Sequence, residues 1–241
     1  MRGEINMLKI KNLRKAYGDH EVIKGIDLEV KSHEIVGFIG MNGSGKTTTI
    51  KAIVGIHSFD GEIYINGKSI KDDEINAKMD MAYVADNPDI YDTLKAIDYL
   101  NLMGDIYEVP LDVRKKEIEE LTKDLDIYNN LNDEIRSFSH GMKQKLVLTA
   151  AFMHHPKLLV LDEPFVGLDP KASYLLKEKM RKLCDEGSAV FFSTHVLEVA
   201  EKLCDRIIIL KDGKIFYDGS FETIHKTHAT LEELFMELAN E

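Results

Sequence analysis

The chain is poor in cysteine: Cys184 and Cys204 are its only two. That is too few for a disulfide framework, so each is expected to be a small buried hydrophobe rather than a redox or metal group. It has no apolar run near the roughly 20 residues that a membrane-crossing helix needs. The densest run, Leu146 to Met153, falls far short. The opening MRGEINMLKIKN lacks the apolar core of a signal peptide, from which a cytosolic chain is expected. Positive charge is also in deficit, with 31 Lys+Arg against 42 Asp+Glu and a net charge of −11. A nucleic-acid binder needs basic patches facing phosphates, so this balance argues against such a partner. Internal repeats, low-complexity tracts and linkers are not evident. What is present is a 44% apolar fraction over 241 residues. That is enough for a substantial core in one large domain or two small ones.

The periodicity changes along the chain. Met7–Arg14 and Val22–Val30 mix apolar and charged residues near period two, as half-exposed strands do. Glu34–Ile39 is a compact apolar run and reads as a buried strand. Gly61–Ile65 alternates and stops at the turn pair Asn66-Gly67. From about Thr93 the spacing becomes helical: Leu94, Ile97, Leu100 and Met103, then Ile118, Leu121 and Leu125. Residues 87–155 are therefore expected to form a separate, acidic helical lobe. Lys157–Leu161 and Ser188–Ser193 are short apolar strands, each followed by a helical pattern. Asp169-Pro170 reads as an N-cap with proline at the first helical position; Leu176, Met180 and Leu183 line that helix and Gly187 would end it. Arg206–Leu210 and Lys214–Tyr217 flank Asp212-Gly213 as a hairpin. Strands alternating with helices predict an α/β fold with a mainly parallel sheet. Residues 221–241 read as a charged amphipathic tail.

Two strings carry chemistry by themselves. Gly40-Met-Asn-Gly-Ser-Gly-Lys46-Thr47 satisfies G-x-x-x-x-G-K-[ST] between a predicted strand and a helix starting near Lys46. Glycines let backbone N–H groups wrap a phosphate without Cβ clashes, and the helix N-terminus adds about half a positive charge. Gly40, Asn42, Gly43, Ser44, Gly45, Lys46, Thr47 and Thr48 form the expected nucleotide-binding set. In it Lys46 reaches the β- and γ-phosphates, and the Thr47 hydroxyl ligates Mg²⁺. Leu158-Leu-Val-Leu-Asp162-Glu163-Pro164 is an apolar strand ending in carboxylates at the sheet edge where α/β ligand sites lie. Asp162 is expected to hold the Mg²⁺ shell and Glu163 to polarise water for attack on the γ-phosphate. Alone, such a pair reads equally as a helix-capping turn.

The string Phe138-Ser139-His140-Gly141-Met142-Lys143-Gln144-Lys145 resembles the signature of ATP-binding cassette (ABC) proteins, usually Leu-Ser-Gly-Gly-Gln. Ser139 and Gly141 match, while Phe138, His140 and Met142 depart. SHGMKQK is similar to a variant found in cassettes that partner exporter-type membrane subunits. The resemblance runs from about Leu8 to Phe221 and implies a P-loop NTPase (RecA-like) core, about 1–86 and 156–220. This core would carry an antiparallel β portion and the inserted helical lobe. It further implies an ATPase subunit of a transporter, taking ATP and Mg²⁺ and lying on the inner membrane face through an integral membrane permease. Two ATP molecules would be held between two cassettes, in a homodimer or with a second cassette, and Ser139, His140, Gly141 and Met142 would act across that interface.

Other roles follow from the same resemblance. Tyr17 would stack on adenine, though a tyrosine ending a strand reads equally as packing. His195 would be the switch histidine contacting the γ-phosphate, and Asp169 would lie in the loop that crosses the dimer. Asp86 stands where the family has Gln or Glu. With one methylene fewer it reaches about 1.5 Å less, leaving open a direct Mg²⁺ contact, action through a water, or a hinge role only. His154 and His155 read as solvated residues near a negative helix end rather than a metal pair. A DNA-repair cassette would need a coiled coil for which 87–155 has no room, and a translation-factor cassette would need a second motif set. A soluble ATPase of a scaffold or iron–sulfur assembly system stays open as the alternative.

Overall fold

The computed structural model describes residues 5–227 and 230–240. In chain order, β1 (Asn6–Tyr17) and β2 (His20–Lys31) pair antiparallel. β3 (Ile35–Ile39) then leads into α1 (Lys46–Ile53), and β4 (Asp60–Ile65), β5 (Lys68–Ser69), α2 (Glu74–Met79) and β6 (Met81–Val84) follow. Three helices come next: α3 (Ala96–Ile106), α4 (Leu111–Asp124) and α5 (His140–Met153). The chain returns through β7 (Leu158–Asp162), α6 (Pro170–Asp185), β8 (Ala189–Thr194), α7 (Leu197–Leu203), β9 (Arg206–Lys211) and β10 (Lys214–Gly219). It closes on α8 (Phe221–Thr227) and α9 (Leu231–Asn240).

The strands form two sheets, β2-β1-β4-β5 and β10-β9-β3-β8-β7-β6. In the second, β9, β3, β8, β7 and β6 run parallel and β10 antiparallel. Every residue of β3, β7 and β8 is buried, as expected of parallel strands covered on both faces. Alternation along each strand divides them between two cores. Val190, Phe192, Leu159 and Leu161 face the helices with Leu100, Ile118, Leu121 and Leu146. Phe191, Val160, Phe38 and Ile208 face α1 and the antiparallel sheet with Ile10, Ile26 and Ile50. The predicted turns form at Asn66-Gly67 and Asp212-Gly213, all four residues with positive φ. Both cysteines are buried.

Residues 131–136, which enter α5, are stitched to residues 92–97, which enter α3. Ile97 N donates to Leu131 O, Ala96 N to Asp133 O, Ile135 N to Leu94 O and Arg136 N to Asp92 O. The tail packs rather than trailing: Ile224, Leu231 and Leu234 are buried in the helical-side core. Its residues 228, 229 and 241 lie outside the described residues.

The structure corrects one expectation. His154 is not solvated: its ring stacks on Tyr107 at 3.7 Å between centroids, and Nδ1 lies 3.3 Å from Ala150 O. Burial pushes its pKa down to about 4. The C-terminus of α5 lies under the turn that follows α3, which sequence position alone does not reveal. His155 is exposed and pairs with Glu117 at 3.2 Å.

Candidate nucleotide site

The site lies where the parallel strands end. The β7–β8 register sets Asp162 beside Ser193, and the β3–β8 register sets Ile39 beside Thr194. After Ile39 the chain turns through Gly40–Gly45 into α1. Gly45 has φ 110°, and a Cβ there would lie 2.5 Å from Ile23 Cδ1. A Cβ on Gly40 would lie 2.6 Å from the backbone oxygen of Leu210. Ser44 Oγ is buried and has no hydrogen-bond partner among the described residues. Asn42 and Thr47 are exposed and Thr48 is half-buried. Lys46, itself buried, donates from Nζ to Gly40 O at 2.7 Å and to Met41 O at 3.3 Å. Burial lowers its pKa from the ordinary lysine value, against the opposing pull of Glu163 and Asp162.

Asp162 is buried, and its Oδ1 accepts from Ser193 Oγ at 2.5 Å. The same hydroxyl oxygen accepts from Glu163 N at 3.0 Å. Glu163 sits at φ 48°, a left-handed conformation that is strained for glutamate and turns the chain sharply off the strand. Its Oε2 lies 2.9 Å from His195 Nδ1. One cleft is lined by Val22, Asn42, Gly43, Gly45, Lys46, Thr47, Thr48, Asp86 and Glu163. Asp86 follows β6 and is exposed. Close by, burial pushes the Tyr83 pKa up to about 12, with Asp162 and Asp86 adding to the effect.

The remaining predicted residues lie outside the lining of this cleft. Ser139 is the N-cap of α5, its Oγ accepting from Met142 N at 3.3 Å. His140 is exposed beside Gly167, and a Cβ on Gly141 would lie 2.8 Å from Gly167 O. Met142 packs on the helical-side core. Asp169 caps α6 by accepting from Ala172 N at 2.9 Å and pairs with Lys145 at 2.7 Å. Tyr17 is exposed at the end of β1, edge-on to His57 with ring centroids 5.8 Å apart.

A phosphate fits the loop: the glycine cradle and the orphaned Ser44 hydroxyl offer donors with little else to satisfy them, and the Lys46 ammonium, held by the Gly40 and Met41 carbonyls, stands beside them. The Thr47 hydroxyl and the Asp162 carboxylate are the hard oxygen donors that Mg²⁺ prefers. Sequence reasoning missed Ser193, which ties Asp162 to the backbone of Glu163. Its only local signal is its position at a strand end before His195.

This glycine loop on a buried strand, with a carboxylate ending the parallel strand one place beyond β8 in the same sheet, defines a P-loop NTPase. Residues 23–166 match the ABC transporter family. The ABC-type transporter ATP-binding protein EcsA of Bacillus subtilis is 34% identical over 242 residues, 98% of each chain. The Nod factor export ATP-binding protein I of Cupriavidus metallidurans is 29% identical, over 88% of this chain and 71% of that one. A solved ATP binding subunit of an ABC transporter matches with a TM-score of 0.93 at 33% identity, covering 97% of this chain and 99% of that one. A dimeric ATP-binding cassette in a post-hydrolysis state, bound to ADP and Pi, gives a TM-score of 0.79 at 26% identity, over 89% and 98%. The chain belongs to the ABC transporter family, as its ATP-binding, ATP-hydrolysing subunit.

Proposed function

We propose that this chain powers export through an integral membrane permease, closing head-to-tail on two ATP molecules with a second copy or a second cassette. The observation that carries this reading is the separation of the signature from the cleft. Lys46, Thr47, Asp86 and Glu163 line one cavity, whereas Ser139 caps a helix outside it. The first step is binding: the loop from Gly40 to Thr48 donates backbone N–H groups to phosphate, and Lys46 leaves its own carbonyls for the β- and γ-phosphates. Mg²⁺ held by Thr47 and Asp162 would neutralise charge on those phosphates. Glu163 then accepts a proton from the attacking water. His195 holds that carboxylate through Nδ1 and offers its other edge to the γ-phosphate. Ser139 and the N-terminus of α5 meet the γ-phosphate held by the other protomer. Hydrolysis removes this bridge and lets the pair open.

The other assignments complete the proposal. Tyr17, with an exposed ring, stacks on adenine. Asp86 reaches the Mg²⁺ shell through water or hinges residues 87–155, the lobe that docks the permease at the inner face of the membrane. Asp169 lies at the dimer crossing. Among the described residues no helix is long and apolar enough to cross a membrane, so the permease would supply that function. The export-type relative and the signature variant support export; no observation favours the scaffold-assembly alternative.

The test is complementation. Ser139→Ala and Lys46→Ala are each expected to abolish turnover, and mixing them should restore one competent site per heterodimer. Absence of recovery, with both proteins folded and dimeric on ATP, overturns the shared-site reading.

A further inference from the structure

The first turns of α5 are gripped by two lysines that reach in different directions. Lys143 Nζ lies 2.6 Å from Asp92 Oδ1, and Lys145 Nζ lies 2.7 Å from Asp169 Oδ2. The lysine side chains are only 21% and 14% exposed, whereas the carboxylates are about half exposed. Asp92 lies on the stretch that leaves the cleft at Asp86. Asp169 ends the loop that leaves it at Glu163. Each lysine therefore ties α5 to the chain just beyond one cleft carboxylate.

Both tethers are reinforced. On the Asp92 side, Arg136 N donates to Asp92 O and Ile135 N to Leu94 O, each at 2.9 Å. The segment entering α5 thus follows the segment leaving Asp86. On the Asp169 side, a Cβ on Gly167 would come within 2.6 Å of His140 Cδ2, and one on Gly141 within 2.8 Å of Gly167 O. The loop and the start of α5 are in close contact and have little room to slide past one another.

We propose that Lys143 and Lys145 are positioning residues that lock the signature turn to the chain beyond Asp86 and Glu163. Nucleotide in a protomer's own cleft thereby sets how its Ser139 is presented to the other protomer. The proposal rests on the shared-site reading above. Neither lysine lines the cleft, so removing their charge leaves the contacts of that cleft to nucleotide in place. Methionine keeps the apolar stem of lysine and deletes the ammonium.

The experiment uses the full chain and compares Lys143→Met, Lys145→Met, the double variant and the exchange Lys143→Asp with Asp92→Lys. Affinity for a fluorescent ATP analogue is read on each chain, with kcat and KM for ATP hydrolysis beside it. Affinity and KM should stay within about twofold of wild type. The double variant should lose kcat by about tenfold, as the product of roughly threefold from each partly exposed pair, and the exchange should recover the Lys143 share. Unchanged kcat in the double variant overturns the proposal. So does a parallel loss of nucleotide affinity, or an exchange that fails to recover kcat. Ser139→Ala in the same assay separates the two readings. If it stays active, the shared-site reading fails; if it is inactive while the double lysine variant is fully active, only the lysine tethers fail.

Discussion

The phosphate loop and the signature turn both present a helix N-terminus, yet they are built in opposite ways. Gly45 opens α1 in the left-handed region and supplies no side-chain cap. Ser139 opens α5 in an extended conformation and caps it with its own hydroxyl. The first N–H groups of any helix have no partner within it. At α1 they are left for a ligand, and the orphaned Ser44 hydroxyl adds to the unmet demand. At α5 the chain already meets part of that demand itself, so on the proposed shared-site reading a γ-phosphate arriving there would compete with an existing bond. On that reading one terminus would hold nucleotide and the other would make a contact that forms and breaks in each cycle.

Removing the charge or the base on the phosphate side should break this contrast most severely. Lys46→Ala is expected to lower turnover about thousandfold with an unchanged far-UV dichroism spectrum, and Glu163→Gln by a similar factor. The two differ in what remains. Glu163→Gln keeps ATP binding and removes one negative charge near each γ-phosphate, so it should run as a dimer on size exclusion with ATP and not with ADP. Wild-type turnover in either variant would remove that residue from the chemistry. Gly45→Ala comes next. Its φ of 110° disfavours any Cβ, so thermal unfolding should report a loss of roughly 1–3 kcal/mol, with weaker ATP binding. An unchanged melting curve would show that the loop does not need its glycine.

A pH titration probes a region away from both termini. His154 is held neutral with a pKa of about 4, whereas in the unfolded chain it titrates near 6.5. The unfolded state therefore binds more protons between those values, and stability falls as pH drops from about 6.5 to about 4. The His154 share of that fall reaches about 3 kcal/mol. His154→Phe should keep the stack on Tyr107 and flatten the slope in urea unfolding; the same slope in the variant would assign it to other groups. The smallest effect on stability is on the signature side. Ser139→Ala should cost about 1 kcal/mol of stability through the lost cap while stopping turnover. A stability loss without a turnover loss would make Ser139 a cap alone.

Much of this was legible because it is local. The glycines of the phosphate loop, the Asp169 cap, Pro170, and the Asn66-Gly67 and Asp212-Gly213 turns each act over a few residues. All sit where the pattern puts them. Short elements without strong periodicity escaped: α2 and the four-residue β6 carry too few turns or alternations to register.

By itself the sequence determined which residue types end each strand and open each helix, because steric and hydrogen-bond demands there are settled within a turn of chain. Tertiary structure alone decided which strand ends became neighbours. The order β3-β8-β7-β6 brings Lys46, His195, Glu163 and Asp86 to one edge, sets Ser193 against Asp162, and places Asp92 and Asp169 within reach of α5. Tertiary packing likewise slid His154 under Tyr107. These are pairings between segments tens of residues apart, and they depend on burying two faces of one sheet at once. No window of sequence contains both partners of such a contact.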